Sequence, residues 1–153
     1  MRVAIGADHE GYLLKDEIIK VLVAEGYDVT DKGTCGPEPV DYPDFARTVG
    51  DAIRTGEAER GILICGSGIG VCVAANKLKG IRAGLCHDVY SAHQSVEHDN
   101  INVLCLGPNV VGSKLAFDLV KTWLEANFTG AERHLRRLRK IDEIETSESE
   151  LDE

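Results

Sequence analysis

Five short apolar runs, RVAIG (2–6), YDVTD (27–31), GILIC (61–65), RAGLC (82–86) and NVLCLG (102–107), are spaced along the chain with amphipathic stretches between them. This alternation constrains the fold more than any other feature. The runs are compact and largely apolar on both faces, as the strands of a parallel sheet covered by helices on each side read. The stretches between them carry helical spacing: Leu14, Ile18, Val21 and Leu22 share one face, and Leu115, Leu119, Trp123 and Leu124 share another. Gly26 and Gly80 fall where helices should stop. The segment KGTCGPEPVDYPDF (32–45) holds three of the four prolines and is expected to be a long loop before a short helix. A last helix is expected from about Ala131 to Ile144. The fold class is therefore α/β, a three-layer αβα Rossmann-like domain with a five-stranded parallel sheet and a C-terminal helix. A chain of 153 residues suits one domain, expected over residues 1–144.

Residues 142–153, DEIETSESELDE, carry seven acids and no base, and without those seven the formal charge of −9 becomes −2. The stretch 145–153 is expected to be a disordered, solubilising tail. Before it, ERHLRRLRK gathers Arg133, Arg136, Arg137, Arg139 and Lys140, either an anion site or a solvated helix face. A net acidic body lacks the electrostatic footprint of a nucleic-acid binder. No apolar stretch is long enough to span a bilayer, and the N-terminus turns polar too soon for a secretory signal, so a cytoplasmic protein is expected. The five cysteines are an odd number, four of them within apolar segments, which points to reduced, mostly buried thiols. No C-x-x-C or H-E-x-x-H occurs, and no metal or cofactor is expected.

Ligands of such a fold bind beyond the carboxyl ends of the strands. In GADHEG (6–11) Asp8 stands where a dinucleotide loop needs its second glycine; a carboxylate there would face a pyrophosphate, so a Rossmann cofactor is excluded. Asp8 and His9 are instead an acid–base pair at a ligand-facing turn, with helix capping as the other reading of Asp8. In CGSGIG (65–70) Gly66, Gly68 and Gly70 let the backbone approach a ligand, and their amides suit an anion or a developing oxyanion. Val71 occupies the place of the last glycine of G-x-G-x-x-G, and the Lys of a phosphate-binding P-loop is absent. Cys65 puts a thiol at a strand end beside a helix start, where the thiolate is favoured. His98 is a further candidate, His87 directly follows a strand, and His93 reads as a packing or surface residue. Two reaction classes fit these residues: proton shuttling on a small phosphorylated substrate, and acyl chemistry at a cysteine nucleophile.

The motifs I-G-x-D-H-E-G (5–11), D-K-G-T (31–34), D-Y-P (41–43), I-L-I-C-G-S-G-I-G (62–70) and A-A-N-K (74–77) together resemble the type B ribose-5-phosphate isomerases. G-I-R-A (80–83), Y-S-A (90–92), H-D-N-I-N-V-L (98–104) and V-V-G (110–112) continue the resemblance, which covers about residues 1–140 in order. It implies interconversion of ribose 5-phosphate and ribulose 5-phosphate through a cis-enediolate. Cys65 would be the acid/base between C2 and C1, as in the cysteine branch of the family; the other branch has glutamate where Val71 stands. Ser67 and the amides around Gly66, Gly68 and Gly70 would stabilise the enediolate oxygen. Asp8 would move protons between O1 and O2, His98 would assist opening of the furanose, and Tyr42 would line the sugar pocket. His9, Arg133 and Arg137 would hold the phosphate, with the arginines four residues apart on one helical face. The resemblance also implies a homodimer or homotetramer with active sites at the subunit interface. Two residues depart from it: Asn109 replaces a phosphate-binding arginine, and Asp99 replaces a common asparagine. Both weaken the case for a dianionic phosphate and leave two alternatives: the same chemistry on a four- or six-carbon or unphosphorylated sugar, or a non-catalytic sugar-phosphate-binding module.

Overall fold

The computed structural model describes residues 1–151, with Ser149 as backbone only. In chain order the elements are β1 (Arg2–Ala7), α1 (Tyr12–Ala24), β2 (Asp28–Asp31), α2 (Tyr42–Arg54), β3 (Arg60–Ile64), α3 (Ile69–Ala75), β4 (Ala83–Leu85), α4 (Val89–Asp99), β5 (Val103–Leu106), α5 (Ser113–Glu125) and α6 (Glu132–Glu150). The five strands form one sheet in the order β2-β1-β3-β5-β4, every pair parallel. The α/β reading with a five-stranded parallel sheet therefore holds.

Alternation along the strands divides the core in two. Val3, Ile5, Ile62, Ile64, Leu104 and Leu106 face α1, α4 and α5. Ala4, Leu63, Cys65, Val103 and Cys105 face α2 and α3. Every residue of β5 is buried, as a strand covered on both faces requires. YDVTD behaves differently: its strand, β2, forms an edge and is only half-buried. On α5 the buried face is Ala116, Leu119, Val120, Trp123 and Leu124, while Leu115 is exposed, so the apolar stripe is rotated by one position from the expected one.

Two boundaries differ from expectation. The long loop ends at Asp41 rather than at residue 45, and the helix that follows has 13 residues. Pro43 is no obstacle there, because its fixed φ suits a first helical turn whose amides need no intrahelical partner. Helix α3 stops at Ala75, where Asn76 takes over with side-chain bonds to Cys72 O (3.1 Å) and Ala83 O (3.0 Å). Gly80 lies in the following turn at φ +80, and Gly26 follows α1 at φ +89, as expected of a helix stop.

The expected disordered tail from residue 145 is the largest difference. Helix α6 continues to Glu150, and its acidic part is anchored to the body. The Gly80 amide donates to the Glu145 carboxylate (3.1 Å), and Arg82 lies 3.9 Å from Asp142. These contacts oppose the mutual repulsion on which the disorder reading rested. Residues 152–153 of that stretch lie outside the described residues. Among the described residues, no helix is long and apolar enough to cross a membrane.

Candidate active site

The sheet order reverses direction between β1 and β3, so the crevice beyond their carboxyl ends is where this topology binds ligands. The Asp8 amide donates to Ile64 O (3.1 Å), which seats the turn after β1 against the end of β3. Gly11 is required by the same approach: a Cβ there would lie 2.6 Å from Ile64 O. Asp8 is 4% exposed, and its Oδ1 accepts from the amides of Glu10 (2.9 Å) and Gly11 (3.2 Å). It therefore shapes the turn, as the capping reading required, through one oxygen that leaves the second for a ligand. His9 Nδ1 accepts from the Val40 amide (3.2 Å), which pins the proline-rich loop and leaves Nε2 as its free ring nitrogen.

Cys65 is the first residue after β3 and is 5% exposed. The Gly68 amide donates to its Sγ (3.1 Å) at the start of α3. Gly68 sits at φ +78, and a Cβ there would meet the Leu106 carbonyl carbon at 2.7 Å, so the loop can close over β5 only with glycine. Ser67 Oγ accepts from the Ile69 amide (3.2 Å), which leaves its hydroxyl proton to donate elsewhere. The Tyr42 ring packs on Gly70, where a Cβ would lie 2.8 Å from Cζ. The Asn109 amide donates to Gly66 O (3.1 Å), and its side-chain Nδ2 lies 3.0 Å from where a Gly66 Cβ would be. Asp8, His9, Tyr42, Cys65, Gly66, Ser67, Gly68, Gly70 and Asn109 are thus brought together around one crevice.

Sequence reading missed Glu10, whose carboxylate fills the space that the absent Gly66 side chain leaves, beside Asn109. Its only sequence signal was its place next to His9 in GADHEG. Another thiol, that of Cys72, has its pKa lowered to about 7, chiefly by a hydrogen bond from the Cys105 thiol. Cys72 is directed at the sheet, with its Sγ 3.6 Å from Ala83 O, and so is no rival for the crevice.

His98, Asp99, Arg133 and Arg137 are elsewhere. Helix α4 starts near the carboxyl end of β4 and runs back along the sheet for 11 residues, about 16 Å at the helical rise. It ends just before Asn102, whose carbonyl accepts from Gly61 at the start of β3. His98 and Asp99 therefore lie at the amino edge of the sheet, opposite Cys65. There the first turns of α6 meet α4: the rings of His98 and His134 stack with centroids 4.2 Å apart and planes at 18°. The Gln94 amide nitrogen lies 3.1 Å from His98 Nδ1. Burial first, then the nearby His98, Arg133 and Arg137, lower the pKa of His134, and Asp99 opposes them. His134 is the second residue sequence reading missed, though it sits between the two arginines in ERHLRRLRK.

The remaining histidines have structural partners. The Gly107 amide donates to His87 Nε2 (3.1 Å), tying the ends of β4 and β5. His93 is paired with Glu97 (3.0 Å) on the surface of α4, as expected. Among the described residues no three His, Cys, Asp or Glu side chains converge as metal ligands.

The candidate residues thus fall into two groups, one at each edge of the sheet. Residues 3–141 match the model of the Ribose/Galactose Isomerase family. Ribose-5-phosphate isomerase B of Escherichia coli is 47% identical over 94% of this chain and 96% of that protein. D-erythrulose-4-phosphate isomerase of Pectobacterium atrosepticum is 45% identical over 85% of this chain and 86% of that protein. The solved structure of Clostridium thermocellum ribose-5-phosphate isomerase B superposes with a TM-score of 0.94 at 52% identity, covering 96% of this chain and 99% of the other. On these matches the chain belongs to the ribose/galactose isomerase family and is an aldose–ketose isomerase.

Proposed function

We propose that this isomerase interconverts ribose 5-phosphate and ribulose 5-phosphate, with Cys65 as the acid/base. The observation that carries the reading is the buried Cys65 sulfur at the β3 end with the Gly68 amide 3.1 Å away. A thiolate there takes the C2 proton of the open-chain aldose, and the electrons of the C–H bond form the cis-enediolate. The thiol then returns a proton at C1, giving the ketose with no net change in oxidation state. Ser67 and the loop amides of Gly66, Gly68 and Gly70 stabilise the enediolate oxygen, and Asp8 carries the proton between O1 and O2 through its free oxygen. Tyr42 bounds the sugar.

The half-sites of one chain are completed by those of a second. His98, Asp99, Arg133 and Arg137 of one subunit reach the crevice of its neighbour, where His98 opens the furanose and the arginines join His9 on the phosphate. Supporting this is apolar surface near the crevice: Ile69 (56% exposed) and Val73 (57%) lie one turn apart on α3, and Val110 (59%) follows β5. A homodimer is the smallest assembly that completes both sites.

A four-carbon sugar phosphate is the second reading. It is favoured by the similarity to the D-erythrulose-4-phosphate isomerase. A panel of aldose phosphates followed by NMR in deuterated water separates the readings. Fastest turnover of ribose 5-phosphate, with deuterium entering ribulose 5-phosphate at C1, supports the first; fastest turnover of a tetrose phosphate replaces it with the second.

A further inference from the structure

We infer that His134 is a positioning residue for His98, holding its imidazole plane by ring stacking. This rests on the reading of His98 as the acid that opens the furanose. The two rings are 4.2 Å apart at centroid and nearly parallel, at 18°. His134 is 4% exposed, and its Nε2 is buried without a hydrogen-bond partner. A buried ring nitrogen that bonds to nothing adds only desolvation cost, so polarity does not explain the residue. What the ring supplies is a flat face against His98.

The edge of the His98 ring is set separately. The Gln94 amide nitrogen, one helical turn away, lies 3.1 Å from Nδ1. An amide NH2 group only donates, so Nδ1 accepts and the neutral imidazole carries its proton on Nε2. With one edge bonded to Gln94 and one face covered by His134, Nε2–H is left pointing away from α4. Two imidazoles in contact do not readily both become charged. Burial, Arg133 and Arg137 work against charge on His134, while Asp99 works for it. The surroundings of the pair thus favour a neutral His134 against the face of His98. In ring opening Nε2–H donates a hydrogen bond to the ring oxygen, stabilising the negative charge that gathers there as the C1–O4 bond breaks and the C1 hydroxyl proton leaves to water. Solvent then protonates that oxygen, and the imidazole stays neutral throughout.

The chemistry supplies an internal control. The aldose phosphate must be opened before C2 can react, whereas ribulose 5-phosphate is already open-chain, because its O5 carries the phosphate. The test compares, in one preparation, kcat from ribose 5-phosphate with the rate of deuterium exchange from solvent into C1 of ribulose 5-phosphate. His134→Ala is expected to lower the ratio of these two rates by about tenfold or more, within the range of a general acid's contribution. His134→Phe keeps a flat ring and is expected to hold the ratio within about twofold of the parent, a contrast that follows from stacking alone. If His134→Ala folds poorly, His134→Leu fills the volume without a planar face and takes its place, with the same expected fall. Equal falls in both rates, or a ratio that drops in His134→Phe as far as in His134→Ala, overturn the inference. His98→Asn separates the two levels: if it leaves the ratio unchanged, the ring-opening reading of His98 fails, whereas a lowered ratio there with none in His134→Ala sinks the positioning role alone.

Discussion

Replacing the sulfur of Cys65 removes the acid/base of the proposed reaction while leaving the crevice walls in place. Cys65→Ala is expected to lower kcat by about 10²-fold or more, with ribose 5-phosphate binding by calorimetry changed little. Cys72→Ala is the matched control and retains turnover, since Cys72 is directed at Ala83 O and Cys105 instead of the crevice. Full activity in Cys65→Ala would end the thiol mechanism. Glu10 and Asn109 act on charge rather than on the proton: Glu10→Gln and Asn109→Arg should each lower KM for phosphorylated sugars several-fold, with kcat changed less. Two histidines act on stability. Burial holds the pKa of His87 and His134 below the ordinary imidazole value, with Asp88 opposing it at His87. The unfolded chain then binds protons more readily than the folded one, so stability is complete above about pH 6.5. It declines as pH falls through that value, because a proton on His87 Nε2 also ends its bond from the Gly107 amide. Thermal unfolding followed from pH 8 to pH 5 should show a falling Tm, and His134→Phe should flatten part of that fall.

At the scale of elements, helix ends were the least legible part of the sequence. Helix α5 ends without a glycine stop, and its last carbonyls are taken up by a distant side chain. Arg60 donates to Trp123 O (2.6 Å) and Ala126 O (2.9 Å), and its guanidinium lies 5.2 Å from the centroid of the buried Trp123 ring. Arg60 precedes GILIC and reads in sequence as an unremarkable strand flank; its role is set by a partner more than 60 residues away. Arg60→Ala should cost about 1.5–3 kcal/mol in urea unfolding, and Arg60→Lys should recover only part, because an ammonium cannot reproduce the fork. Lys15 is a similar case, a fully buried side chain whose ammonium reaches both Asp31 oxygens at 2.8 Å. Helical spacing puts it on the face of Ile18 and Leu22, but only the fold supplies Asp31 for its charge. The acidic part of α6 was misread for the same reason, since its anchors, Gly80 and Arg82, are remote in sequence.

For the whole molecule, the proposed site draws on both edges of the sheet, and in that reading a chain is incomplete by itself. Co-expressing Cys65→Ala chains with Arg137→Ala chains tests this directly. Each homo-oligomer is expected to be nearly inactive, whereas a mixed dimer carries one site with both faults and one with neither. Random pairing should then restore roughly a quarter of the parent activity. No recovery in a purified mixed dimer would mean that the half-sites do not combine between subunits.

The sequence by itself determined the layers, the parallel sheet and the residues at its carboxyl edge. Strand periodicity, glycines at close approaches and the order of the motifs are local or nearly local signals, and Asp8, Cys65 and the 66–70 loop lie next to the strands that position them. Only the tertiary structure decided that His98 lies at the opposite edge from Cys65, that His134 rather than solvent covers its ring, and that Glu10 stands over Gly66. Those placements depend on the direction of α4 across the sheet, on where α6 packs and on which side chain fills the space above a glycine. They are distances through space between residues far apart in the chain, and residue spacing carries no measure of them.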